Sequence, residues 1–323
     1  MSEVPIGLYG NNGHQIHGML IDHPLAKCVA TAAFDRSMLP EPLLQDARIR
    51  HYETLDEMLV DDDVQLVSLC SPRRADQARE AIRSMESGKH VYAEKPAALT
   101  ESDLDAIIAT SRQTGKLFHE MWTDSALQQP YYAMRQVVQA GTLGTVVQVL
   151  VQKSYPMHDR RPQDEDIDGG LILQVGVHAL RFVEITGCVP IKDVWAIQTQ
   201  RGNPGDGDLQ VAASMMMTLA NGGVAAVTCN YLNPPAFPTW GNEMVRIFGT
   251  KGFVESTDGG TRTRLVLNDE DCGPLDTDER APLYLDLYLA ELSGNGTMPL
   301  TLEEELHPTR ILIRARADAM SRY

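Results

Sequence analysis

Gly10, Asn12, Gly13 and Gln15 follow directly on the apolar run Val4–Tyr9. A glycine at a strand-to-helix turn lets backbone N–H groups come close to a pyrophosphate, and the spacing is that of a G-x-G-x-x-G dinucleotide turn starting at Gly10. The second glycine is replaced by Asn12, which tolerates a left-handed backbone, while Gly13 keeps the loop slim. The third is replaced by Gln15, whose side chain is expected to crowd the packing of helix on strand. Asp35 ends the second apolar run, where a carboxylate can accept from a ribose diol and repel a 2′-phosphate. It therefore favours NAD; Arg36 beside it is the feature that leaves room for NADP. A tight turn with no ligand would use the same residues, so both readings stand at this point.

Glu94-Lys95-Pro96 comes next in chemical interest, because it follows the strand-like His90–Ala93. Ligands of parallel sheets bind at the carboxyl ends of strands, so Lys95 is expected to face a cofactor crevice and to polarise a hydroxyl or carbonyl oxygen, or relay a proton. Pro96 restrains Lys95 to an extended backbone. Gln174 and His178 are four apart, a spacing that puts them on one helix face, with Arg181 one turn on. His178 titrates in the range a proton carrier needs, although a buried helix histidine has the same sequence appearance. Arg160 and Arg161 lie in a polar stretch and could hold a carboxylate or phosphate. Tyr155 and Trp122 could stack on a sugar ring or simply pack. His14 and His17 find no clear carboxylate or thiolate to complete a metal site, so none is expected.

The elements that must carry these groups alternate strictly over the first 120 or so residues. Strands are expected at Val4–Tyr9, Val29–Phe34, Gln65–Cys70, His90–Ala93 and Leu117–Met121, with helices at Gly13–Ile21, Arg74–Ser87 and after Thr100. Thr54 with Glu57, and Thr100 with Asp103, cap helices; Gly88 and Gly115 stop them. Such alternation implies a doubly wound parallel sheet. Beyond about residue 145 long strand-like runs follow one another, from Val146–Lys153 through Leu209–Leu219 to Met244–Phe248, with a hairpin turn at Asn221-Gly222-Gly223. One helix, Leu171–Thr186, interrupts them, and Leu302–Met320 closes the chain as another. The expected architecture is a Rossmann domain over residues 1–123 and an α+β domain with an open, mostly antiparallel sheet over 124–323.

Composition narrows the class. A chain of 323 residues exceeds one ordinary core. A net charge of −16 repels phosphate backbones and argues against nucleic-acid partners. No apolar stretch reaches membrane-spanning length and the first residues show no secretory pattern. Five cysteines, at 28, 70, 188, 229 and 272, form no C-x-x-C pair, which suits a reducing, cytoplasmic setting.

Taken together, the glycine turn, the strand running into Ser71-Pro72, Gly88-Lys-His-Val-Tyr-Ala-Glu-Lys-Pro96 and the second sheet resemble the Gfo/Idh/MocA oxidoreductases. Gly141-Thr-Leu-Gly144 and Phe248-Gly-Thr-Lys-Gly252 are similar to further family segments, and His119-Glu-Met-Trp122-Thr to the dihydrodiol and xylose dehydrogenase branch. The family motif GGxxxDxGxH is matched by Gly169 through His178, with Gln174 in place of the aspartate. The resemblance implies NAD held by Gly10, Asn12, Gly13, Asp35, Arg36, Ser71, Pro72, Glu94 and Lys95, with Lys95 and His178 flanking a small-molecule substrate. The expected activity is hydride transfer between NAD and a sugar, cyclitol or related polyol or ketone. Gln174 cannot titrate, and Arg73 stands where many members have Asn. A redox-neutral lyase, hydratase or epimerase, or a non-catalytic NAD-binding sensor or assembly protein, are the alternatives. The second sheet keeps one face uncovered by its single helix, which predicts a homodimer or homotetramer through that face.

Overall fold

The computed structural model describes residues 3–121 and 123–322. Contacts divide the chain into two compact units, neither of them continuous. The first takes Met1–Trp122 together with Asp166–Asp168 and Pro282–His307; the second takes Thr123–Glu165, Gly169–Ala281 and Pro308–Tyr323.

In the first unit six strands form one parallel sheet: β1 (Val4–Tyr9), β2 (Ala26–Ala32), β3 (Arg50–Tyr52), β4 (Leu66–Leu69), β5 (His90–Ala93) and β6 (Phe118–Glu120). Their order is β3-β2-β1-β4-β5-β6, the doubly wound order whose switch point lies between β1 and β4. The apolar runs bury on both faces, as a covered parallel sheet requires. Thr54 and Glu57 make the reciprocal capping box, and Thr100 accepts from Asp103 N–H. Gly88 and Gly115 take positive φ after their helices.

Two expectations are corrected here. The helix expected over Gly13–Ile21 is only a 3-10 turn, Ile16–Leu20. Gly13 sits at φ +122 and Gln15 is extended, so the chain cannot enter a helix before Ile16. The helix expected from Arg74 starts with a 3-10 turn and becomes α-helical at Gln77. A helix at Tyr284–Leu292 was not anticipated. Its Tyr284, Leu285, Tyr288 and Leu289 enter the same buried cluster as Leu8, Leu66, Tyr92 and Met121.

The second unit carries β7 (Val146–Ser154), β8 (Ile191–Thr199), β9 (Ala212–Leu219), β10 (Val224–Asn230), β11 (Asn242–Gly249), β12 (Gly252–Thr257), β13 (Arg262–Leu267) and β14 (Glu270–Gly273). They form one sheet in the order β14-β13-β12-β11-β7-β10-β9-β8. Every neighbouring pair is antiparallel except β7 with β10. The β9–β10 hairpin turns at Gly222, φ +86, with Asn221 accepting from Gly223 N–H. In place of the single helix expected over Leu171–Thr186 stand two short α-helices, Gly170–Gln174 and Gly176–Arg181, interrupted at Val175, followed by a π-helical turn over Phe182–Thr186. Among the described residues no helix is long and apolar enough to cross a membrane.

Candidate functional site

Between the ends of β1 and β4 only glycine fits at position 10. Its φ is +65, and a Cβ there would lie 2.1 Å from the carbonyl oxygen of Cys70. Gly13 is equally constrained, since a Cβ would meet Glu94 Cγ at 2.6 Å. Asn12 is not among the residues of positive φ, so its tolerance of a left-handed backbone is not what places it. Its side-chain amide instead donates to the carbonyls of Ile167 and, at 3.2 Å, Pro72. Gln15 does not crowd the turn. Its Nε2 lies 3.1–3.2 Å from the carbonyls of Tyr9, Gly10 and Ser68, while Oε1 accepts from Ile16 N–H and the Ser68 hydroxyl. It fills the gap that a third glycine would leave and satisfies strand-end carbonyls there.

Asp35 does not end β2, which stops at Ala32, but caps the 3-10 turn Arg36–Met38 that follows, and it is exposed. Its Oδ1 accepts from the Ser37 hydroxyl at 2.7 Å and Ser37 N–H at 3.0 Å, which lower the carboxyl's pKa and keep it charged. Asp35 N–H donates to Asn11 Oδ1, tying the glycine loop to the turn after β2. Arg36, next in the turn, is exposed. Ser71 is fully buried, and Pro72 lies against Gly10. Arg73 pairs with Asp166 at 2.7 Å, while Arg74 and Ala75 N–H donate to Ile167 and Asp166 carbonyls. The Asn12 and Arg73 departures from the family pattern thus both engage the strap Asp166–Asp168.

Glu94 and Lys95 follow β5 and are each 1% exposed. Lys95 Nζ is 3.8 Å from Glu94 Oε1. His14 Nδ1 reaches the same oxygen at 2.9 Å, and His14 N–H donates to Oε2. Burial pushes the Glu94 carboxyl up, but the His14 hydrogen bond and the charges of His14, Lys95 and Arg74 outweigh it and bring it down to about 2. Nothing in the sequence signals the His14–Glu94 pair, because the partners are 80 positions apart.

In the second unit, His178 is buried and its Nδ1 lies 3.1 Å from the Ser125 hydroxyl. Gln174 Oε1 accepts from the Tyr231 hydroxyl at 3.4 Å. The Arg161 guanidinium stacks 3.5 Å from the centre of the Tyr231 ring and donates to Pro156 O, whereas Arg160 is exposed. Tyr155 faces His178 edge-on at 6.4 Å and lies tilted against Trp240 at 6.2 Å. Trp122 lies outside the described residues.

Sequence reading missed Lys153 and Glu243, which face each other across β7 and β11 and form a buried ion pair. Lys153 Nζ also lies 4.9 Å over the Tyr155 ring. Burial lowers the Lys153 ammonium, but Tyr155 and Glu243 more than offset this and raise it; burial raises the Tyr155 phenol. A signal was present, since Lys153 continues the inward-facing row Val149, Val151 of β7, where a lone charge requires a partner.

Over residues 4–121 the chain matches an oxidoreductase family described by its NAD-binding Rossmann fold, and over 131–255 the GFO/IDH/MocA C-terminal domain. A dTDP-3,4-didehydro-2,6-dideoxy-alpha-D-glucose 3-reductase from Streptomyces violaceoruber is 31% identical over 41% of this chain and 39% of its own. A myo-inositol 2-dehydrogenase from Thermotoga maritima is 22% identical over 75% of this chain and 71% of its own. The matched region spans less than half the length of the first three curated relatives. The solved structure of an oxidoreductase from Thermotoga maritima, 24% identical, shares the fold with a TM-score of 0.88 over 99% of both chains.

Proposed function

Because the chain belongs to the Gfo/Idh/MocA oxidoreductase family, we propose that it transfers a hydride between NAD and a sugar, cyclitol or related polyol or ketone. The observation that carries this reading is the glycine turn, where neither Gly10 nor Gly13 admits a Cβ, backed by Glu94 beside Lys95. Gly10 and Asn12 shape the turn and Gly13 N–H donates to the pyrophosphate, Ser71 and Pro72 line the turn, and Asp35 reads the ribose through its remaining oxygen. Bound NAD supplies the hydride acceptor or donor. Lys95 polarises the reacting oxygen, and His178 takes the hydroxyl proton at Nε2 when its Nδ1–H donates to Ser125. Gln174 hydrogen-bonds without carrying a proton, and Tyr155 and Arg161 contribute to substrate contact. All five cysteines are free thiols, which suits the reducing cytoplasm.

Calorimetric titration of cofactor-stripped protein tests the cofactor assignment. NAD⁺ is expected to bind at least about tenfold tighter than NADP⁺, and Asp35→Ala to erase most of that difference, since one charged hydrogen-bond acceptor is worth about that ratio. Binding of neither dinucleotide would refute the reading.

We also propose self-association through the outer face of the second sheet. Trp195, Ile197, Met216 and Val224 are exposed there, and Trp195 and Met216 are direct cross-strand neighbours. Light scattering at micromolar concentration is expected to give a dimer or tetramer, and Met216→Glu to shift it to monomer. A wild-type monomer would contradict this.

A further inference from the structure

Two interior side chains, Arg74 and Gln77, are 2% and 0% exposed and face no solvent. Arg74 Nη2 donates at 2.7 Å to the carbonyl of Asn12, and Nη1 donates to Gln77 Oε1. Gln77 Nε2 donates in turn to the carbonyls of Glu94 and, at 3.0 Å, Pro96. One chain of hydrogen bonds thus runs from the glycine loop to the two carbonyls that bracket Lys95.

The direction of these bonds matters. The Asn12–Gly13 peptide is trans, so its C=O and N–H point opposite ways. With the Asn12 carbonyl turned inward onto Arg74, the Gly13 N–H is aimed outward, as an amide that receives a pyrophosphate oxygen must be. On the other side, fixing the Glu94 and Pro96 carbonyls sets the main chain on both sides of Lys95. The Arg74 charge also helps hold Glu94 ionised, after burial, His14 and Lys95 are counted.

We propose that Arg74 and Gln77 are positioning residues that couple dinucleotide binding to the placement of Lys95. Gln77 touches the turn around Lys95 and not the glycine loop, yet its removal leaves Arg74 without the partner that fixes its guanidinium. The inference rests on the proposed function, because it assumes a dinucleotide on Gly13.

The test is NAD⁺ calorimetry on wild type, Arg74→Met, Gln77→Leu, the double variant and Arg74→Lys, with Tm measured for each. Losing one buried charge-assisted bond is expected to weaken NAD⁺ about tenfold in either single variant. Because the two act in series, the double variant is expected to stay near that tenfold loss, well short of their product. Arg74→Lys keeps one donor and is expected to recover part of the affinity at a wild-type Tm, which a purely structural role would not give. If Arg74→Met lowers Tm, the Arg74→Lys and Gln77→Leu results decide. Wild-type affinity in the single variants, or fully multiplicative losses in the double, overturns the inference alone. A wild-type protein that binds no NAD⁺ removes the proposed function and this coupling together.

Discussion

Lys95→Ala is expected to lower kcat/KM by roughly a thousandfold on any polyol with which the wild-type protein reduces NAD⁺, within the range of a positioned acid or base. The fold is expected to survive. Glu94, the ion-pair partner left behind, keeps both His14 contacts and the Arg74 charge, so no carboxylate is stranded. NAD⁺ affinity by calorimetry is expected to change by less than about threefold, since it is Glu94 that lies against Gly13. Loss of turnover with retained NAD⁺ binding is the signature of a group acting on the reacting oxygen. Turnover within tenfold of wild type would show that Lys95 does not act there. It would also revive the reading of a sensor.

The largest stability effect is expected at His119, on β6. Its Nδ1 lies 2.6 Å from Glu305 Oε2 and its Nε2 3.6 Å from Glu291. Glu305 also accepts from the Tyr284 hydroxyl at 2.7 Å and from Glu120 N–H at 2.6 Å. The Tyr288 ring packs edge-on to the imidazole at 4.4 Å. Burial alone would push the imidazole down, but the two carboxylates overcome it and raise it to about 9. The folded value lies above the unfolded value of 6.5, so the stabilisation is complete below pH 6.5 and is lost as pH rises through 9. The sum over that window is roughly 3 kcal/mol. His119→Ala removes one side of a buried pair and is expected to cost about 3–5 kcal/mol near neutral pH. Urea unfolding of both proteins between pH 6 and 9 checks this. The difference between them is expected to shrink as pH rises; parallel curves would show that His119 is not a charged partner of Glu305.

Five of the six strands of the parallel sheet, the caps at Thr54 and Thr100, the Asn221–Gly223 hairpin and the change of sheet type after residue 145 were all legible in the sequence. So were the glycine turn and the place of Lys95 at the end of β5. These features rest on interactions spanning a few residues: side-chain periodicity, a cap bonding three positions on, a glycine at positive φ. Their physics is local, so their pattern is written locally.

Other features depend on partners far along the chain. Gln15 looked like an obstruction until its amide was seen to bond carbonyls of both β1 and β4. Asn12 and Arg73 looked like defects, yet both bond to Asp166–Ile167, more than 90 positions away. Tyr284–Leu292 has no side-chain N-cap to announce it, and its aromatic rings find their place only in the first unit's core. His14 with Glu94, Lys153 with Glu243 and His119 with Glu305 pair across 80, 90 and 186 positions. Burying a charge is costly without a partner, so the sequence demands that each have one. Only the packed chain decides which, because many carboxylates are available and close packing brings few of them within reach.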